Sequence, residues 1–491
     1  MNILLAQSVT QPSVDWHALA PELVMASAAC IVLVADLFLP RDARWIAMPL
    51  SAAGIIGTLA AVVSLINTET TTLAGTFEVD TFSLLFKALF CVLGLIILAI
   101  SFHYFRAGSY YQGEYYFLLL CSLFGGLVIA SARDLISLFI ALELISIPGI
   151  VMVALRKGDA RSNEGALKFF LFSVLSSAIM LYGMSLVYGV TGSTLLTEIR
   201  SSIGSADQPI IVLSVFFVVV GFGFKISAVP FHFWAPDTYE GAPSPVAAFL
   251  STASKIGGFV GLLVLMFKAF PTVADTWAPV FGVLAALTMT VGNLIALRQQ
   301  HVIRLLAYSG IAQSGYILVC LALISPNPSD QAANEQAFAA AVIYLAIYGI
   351  MDLGAFAAAV AFARRGGTYF ISDYAGLWQR SPVLALLFGS FLISLAGVPP
   401  MAGLIAKLFV FAATIEAEVY WLAIVMGVNT VIAAWYYLAI IKKMFFETPE
   451  IDEPVEVPYL MTAAMGLAAA VLVGLLIYPS LLTDLADSSN F

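Results

Sequence analysis

About fourteen apolar stretches follow one another along this chain, each near the roughly 20 residues that a helix needs to cross a bilayer. They lie approximately at 18–39, 45–66, 82–103, 114–131, 134–155, 164–190, 209–228, 243–268, 276–297, 302–324, 336–363, 382–413, 418–445 and 457–481. In lipid each backbone polar group must find its partner within the fold, and a stretch of this length does so as a helix. The side-chain balance excludes a water-soluble fold: 61% of residues are hydrophobic and 10% are charged, against about 25% charged in soluble domains. The pattern predicts an all-α, multi-pass membrane protein. Several stretches exceed the bilayer and contain Pro or Gly, which predicts tilted or broken helices.

The cations orient it. With the N-terminus taken as outside, the cytoplasmic loops and adjoining helix ends hold 13 of the 21 Lys and Arg, among them Arg41, Arg106, Arg156, Lys157, Arg365 and Lys443. The outer loops hold 3: Arg133, Arg200 and Lys268. The positive-inside rule then places both termini outside. Met1 to Gln11 lacks the basic and apolar regions of a secretory signal, so the first helix is expected to direct insertion. The net charge of −9 comes largely from loops and points to no nucleic acid. Cys30, Cys91, Cys121 and Cys320 stand singly among apolar neighbours, with no zinc or iron–sulfur spacing, and read as buried, inert thiols.

Five cations remain, and all are lysines within helices: Lys87, Lys168, Lys225, Lys255 and Lys407. A charge at mid-membrane costs at least about 2.5–3.5 kcal/mol. Lysine escapes that cost by reaching the interface, by pairing with a carboxylate, or by giving up its proton, and the last route is closed to arginine. Lysine is therefore the cation for a site that cycles between charged and neutral. Lys87 and Lys168 lie near helix ends, where reaching the interface is open to them; Lys225, Lys255 and Lys407 lie deeper. Glu143 is the acidic counterpart, nine residues after Asp134 and so roughly 13 Å into the bilayer at helical rise. Paired with a buried lysine it would hold that lysine charged, and its withdrawal would release a proton. Asp352, in YGIMDLGAF, either serves such a relay or caps a local break.

Two stretches are expected to break. GFGFKISAVP at 221–230 sets glycines and a proline around Lys225, and in GVPPMAGLIAKLFVF at 397–411 Pro399 and Pro400 precede Lys407 by about two turns. Freed backbone groups at such depth need a protein-lined interior. An interrupted helix with a lysine in each half is the pattern of repeats that each supply half a transport route. Helices four to eight and nine to thirteen align as two inverted five-helix repeats, with helices 7 and 12 broken. The organisation expected is a three-helix region at 1–113, repeats at 114–268 and 276–445, and a C-terminal helix at 446–491.

The run at 229–255, VPFHFWAPDTYEGAPSPVAAFLSTASK, closely resembles the signature of the antiporter-like membrane subunits of respiratory complex I, above all the N-type; LAYSGIAQSGY at 306–316 and the GVPPMAG run resemble further blocks of that family. The resemblance spans nearly the whole chain. It implies a proton relay in which Glu143 and Lys225 form a modulating pair, Lys255 is the middle relay and Lys407 the terminal donor, with Lys168 and His232 supporting. A lysine at 407 is similar to the N-type; the M-type carries glutamate there. The resemblance further implies K-type and M-type neighbours, a cell inner membrane, and NADH, FMN, iron–sulfur clusters and quinone bound by the assembled complex. This chain itself is expected to bind no cofactor, for it has no dinucleotide-binding glycine pattern and no cluster cysteines. His301 at a helix start fits surface solvation as well as relay, and His17 and His103 at membrane edges make no haem pair. The competing readings are a subunit of a multisubunit Na+/H+ antiporter, which shares the lysines, and a solute permease, which would need a mixed polar pocket in place of a row of titratable groups.

Overall fold

The computed structural model describes residues 13–106, 112–204, 208–364, 368–449 and 453–489. Met1 to Gln11 and Arg365 lie outside the described residues, as does the side chain of Arg41. Helices α1 (Ala20–Phe38) and α2 (Ala47–Ser64) lead into a hairpin of β1 (Thr70–Thr72) and β2 (Phe77–Val79), antiparallel with Thr70 opposite Val79. Then come α3 (Thr81–Arg106), α4 (Gln112–Ser131), α5 (Leu135–Val153), α6 (Ala160–Thr191), the short α7 (Leu196–Ile203) and α8 (Gln208–Lys225). After a break follow α9 (Trp234–Gly241), α10 (Ser244–Phe249), a π-helical turn (Leu250–Ser254), α11 (Lys255–Lys268), α12 (Ala274–Ala296) and α13 (Val302–Ala322). The chain ends with α14 (Gln331–Ala363), α15 (Leu377–Arg380), α16 (Pro382–Ala396), α17 (Gly403–Glu416), α18 (Tyr420–Phe446), α19 (Tyr459–Ile477) and α20 (Ser480–Asp487).

Among the described residues, 12 helical spans are long and apolar enough to cross a membrane, with Pro209–Lys225 and Pro382–Ala396 as shorter apolar helices. The stretch expected at 382–413 is two helices, because Gly397 takes a left-handed φ of 77° and closes α16. The stretch at 243–268 is continuous in direction but carries the π turn immediately before Lys255, which its residue pattern did not announce. The hairpin and the amphipathic α7 and α20 also went unpredicted, being too short to leave a periodic signature.

Burial sorts the helices into a centre and a rim. Every residue of α14 from Ala337 to Phe362 is buried, as expected of a helix apolar on all sides. It packs against α3, α10, α13, α16, α17, α19 and α20. α12 and α13 approach closely because Gly292 and Gly315 bring backbone against backbone: a methyl group at either would fall within 2.8 Å of a facing amide nitrogen. At the rim, α18 turns Ile424, Val431 and Trp435 outward and α6 turns Phe170 and Leu171 outward, the faces a chain shows to lipid. Cys30 belongs to this rim; it is exposed on α1, contrary to the expectation of a buried thiol, while Cys91 and Cys320 are buried.

Candidate functional site

Asp134 starts α5 by accepting hydrogen bonds from the amides of Ile136 (2.9 Å) and Ser137 (3.1 Å). That cap sets the rotation that turns Glu143 inward, toward the last residue of α8. There Lys225 Nζ lies 3.0 Å from Glu143 Oε1 and donates to Ser146 Oγ (2.7 Å) and Ser173 Oγ (3.2 Å). Ser177 Oγ donates to the same carboxylate oxygen at 2.6 Å. The lysine side chain is 5% exposed and the glutamate 20%, so a buried ammonium meets a half-buried carboxylate, with its remaining hydrogen bonds met by hydroxyls, the condition under which such a pair is tolerated.

Lys225 sits where it does because α8 stops. Ser227 adopts a left-handed φ of 58°, and the Ala228 amide closes back on the Gly223 carbonyl at 2.8 Å. The second interruption repeats the device: Gly397 is left-handed and the Val398 amide closes on the Ile393 carbonyl at 3.2 Å. Side chains of α12 and α13 satisfy what the breaks set free. Thr288 Oγ1 accepts from the Val229 amide at 3.0 Å, and Ser314 Oγ donates to the Ile226 carbonyl at 2.9 Å. Gln313, next to Ser314 on α13, donates Nε2 to the Leu395 carbonyl at 3.0 Å. One turn of α13 therefore holds both interruptions.

Lys255 opens α11, 1% exposed, beside Gly310 of α13 and with its Nζ 5.9 Å from the Tyr348 ring centre. Lys407 is four residues into α17 and 4% exposed; its Nζ donates to the Ala396 carbonyl at 2.8 Å and lies 4.9 Å from the Tyr316 ring centre. Beside Lys407 lies a polar cluster. Tyr344 hydrogen-bonds Gln313, Tyr316 stacks on Tyr344 with ring centres 6.2 Å apart, and the Tyr316 hydroxyl meets Thr430 Oγ1 at 3.0 Å.

Residues 132–433 match the NADH:quinone oxidoreductase/Mrp antiporter transmembrane family. NADH-quinone oxidoreductase subunit N 2 of Streptomyces griseus is 43% identical over 461 residues, which is 91% of this chain and 85% of that protein. The chain belongs to the subunit N family. A chain of respiratory complex I from Thermus thermophilus superposes with a TM-score of 0.80 at 29% identity, over 95% of this chain and 99% of that one. A chain of the Mrp complex from Dietzia superposes with a TM-score of 0.84 at 20% identity, over 97% of each, which shows the shared fold.

In this subunit N family member the expected residues divide. Lys225, Lys255 and Lys407 are buried, Glu143 is half-buried, and His232 lies in the first break, 6% exposed. Lys168 stands apart: its side chain is 37% exposed and bonds Glu164 and Asp237, both at 2.7 Å. Arg304 bridges Asp237 (2.9 Å) and Glu240 (2.7 Å) in the same cluster. Lys87 does not reach the interface; it is 0% exposed, 2.8 Å from Glu22. α14 runs unbroken through Asp352, so that residue caps no break, and its carboxylate accepts from Ser251 and Tyr348. His301 precedes α13 with its ring against Tyr369 and Phe370. The hydroxyl and amide residues of the cluster beside Lys407 were missed in the sequence. Ser173 and Ser177 did leave a signal: spaced by four, they share one face of α6.

Proposed function

We propose that this chain is the proton-translocating subunit N of NADH:quinone oxidoreductase, and that protons move along Glu143, Lys225, Lys255 and Lys407, with Lys168 and His232 in support. The carrying observation is the ion pair of a buried Lys225 with Glu143 at the end of a helix that stops short among apolar spans. A pair of this kind stores a proton while the carboxylate is near and releases it when the carboxylate moves away. The polar cluster of Gln313, Tyr344, Tyr316 and Thr430 supplies neighbours for transfer at Lys407.

On this reading the chain has fourteen membrane spans, with α8 and α9 as the seventh and α16 and α17 as the twelfth. The two repeats are residues 114–268 and 276–445, in inverted orientation, flanked by 1–113 and 446–491. The matching closures at Ser227 and Gly397 support that alignment. Both termini face the outer side of the cell inner membrane, K-type and M-type subunits are the neighbours, and NADH, FMN, iron–sulfur clusters and quinone are bound elsewhere in the complex. Identity of 43% to a subunit N, against 20% to the Mrp chain, favours the redox complex over the antiporter.

The test is Lys225→Ala and Glu143→Ala in the assembled complex. Each is expected to lower NADH-driven proton pumping and quinone reduction on the order of a hundredfold, the low end of what one positioned acid or base contributes. Lys225→Arg is expected to fail as well, since arginine keeps its proton. Full pumping by correctly assembled Lys225→Ala complex refutes the relay.

A further inference from the structure

Asp352 is a carboxyl group that the proposed relay does not use, and it is 0% exposed at the centre of the most buried helix. A carboxylate in such a place needs hydrogen bonds and an opposite charge. Its hydrogen bonds come from two helices. Ser251 Oγ, in the π turn, donates to Oδ2, and the Tyr348 hydroxyl lies 3.3 Å from the same atom while also donating to the Ser251 carbonyl at 2.8 Å.

The opposite charge is Lys255. Ser251 and Lys255 are four residues apart along one strand of helix, and so are Tyr348 and Asp352; the two pairs face each other. A methyl group built on Gly310 would lie 3.1 Å from Lys255 Nζ, 3.2 Å from the Tyr348 hydroxyl and 3.7 Å from Ser251 Oγ, which places all three around one point. Glycine at 310 thus leaves room for the ammonium beside the hydroxyls. Among the described residues neither Lys255 Nζ nor Asp352 Oδ1 has a hydrogen-bond partner, and the two groups, though beyond ion-pair distance, attract each other electrostatically. The π turn gives this pairing its geometry: it offsets Ser251 from the regular helical path just before the lysine, and such turns recur at working sites.

We infer that Asp352 is the acid that exchanges a proton with Lys255, forming a second acid–base pair in the row beside Glu143 and Lys225. The two groups stand beyond ion-pair distance at rest, so the exchange requires the flexible Lys255 side chain to swing toward Asp352; an N–H bond of the ammonium then breaks and an O–H bond forms on the carboxylate, and the pair passes from two opposite charges to none. Tyr348 and Ser251 are positioning residues that aim the carboxylate. Among the described residues neither Lys255 nor Lys407 has a carboxylate within ion-pair distance, but Lys255 alone shares its surroundings with the Ser251 and Tyr348 hydroxyls that hold Asp352, so the row reads as close pair, separated pair, single lysine.

The inference rests on the row carrying protons, and the experiment separates the two. Assembled complexes with Asp352→Asn, Asp352→Glu and Lys225→Ala are compared in inverted membrane vesicles for NADH-driven pumping. Turnover-induced infrared difference spectra are read for the carboxylic C=O band. Asp352→Asn is expected to lower pumping by about a hundredfold, the low end for a positioned acid, and to remove one carboxylic band; Asp352→Glu is expected to recover most of the pumping. Full pumping by Asp352→Asn while Lys225→Ala is inactive overturns this inference alone, whereas full pumping by Lys225→Ala overturns the relay itself. Should Asp352→Asn fail to assemble, Ser251→Ala decides, since it removes a hydrogen bond and no charge: a shifted carboxylic band supports the pair and an unchanged band overturns it.

Discussion

Lys87 and Glu22 join α3 to α1 through a contact of 2.8 Å, with side chains 0% and 7% exposed, and the Phe77 ring centre lies 4.8 Å from the amine. Among the described residues no hydrogen bond links this pair to the row of Lys225, Lys255 and Lys407. We read it as a fastener between helices. Lys87→Met leaves a carboxylate buried and uncompensated, and Glu22→Gln leaves an ammonium in the same state. Removing one partner of a buried pair costs about 3–5 kcal/mol, whereas replacing both with apolar side chains of similar volume is neutral or stabilising by about 1–4 kcal/mol. The double variant Glu22→Leu/Lys87→Met should therefore be at least as stable as the parent, giving a coupling of several kcal/mol across the cycle. The assay is denaturant and thermal unfolding of the purified complex in detergent, with NADH-driven pumping measured on the same samples. Single variants costing under about 1 kcal/mol, the size of an exposed pair, would refute the burial reasoning. A double variant that is stable but no longer pumps would refute the separation of this pair from proton transfer.

Three further outcomes follow from the geometry. Gly403 begins α17 against the Ser394 backbone, and its amide donates to Ser394 Oγ at 3.2 Å; Gly403→Ala should force α16 and α17 apart and cost about 1–3 kcal/mol, read as lower thermal stability. Ser314→Ala leaves the Ile226 carbonyl without its side-chain donor, a loss of about 1–3 kcal/mol, read as faster hydrogen exchange at residues 226–231. At the hairpin, burial pushes the Glu78 carboxyl up, but Arg133 and Lys268 outweigh it and hold it below its ordinary value of 4.5. Glu78 therefore adds stability that is complete above pH 4.5 and is lost as pH falls through its lower folded value. Glu78→Gln should flatten that acid limb of the unfolding profile.

The spans were legible because an apolar run of bilayer length has one outcome in lipid, whatever its neighbours. α6, expected at 164–190, is Ala160–Thr191, and α13, expected at 302–324, is Val302–Ala322. The breaks were legible too, since Gly and Pro act locally on the backbone. Partnerships were less so. Lys87 meets a glutamate 65 positions earlier and Asp352 meets a serine 101 positions earlier, and no periodicity encodes such contacts. Lys168 is the instructive middle case. Glu164 lies one turn before it, so its exposed pairing was readable, but Asp237 reaches it only through tertiary packing.

Gln313 and Ser314 are consecutive residues, yet they grip the loose ends of two different helices. A hydrogen bond weakens steeply with misalignment, so a roll of α13 that favours one grip disturbs the other. The two gaps in the membrane interior thus answer to a common axle, and neither can slacken without its counterpart registering the turn.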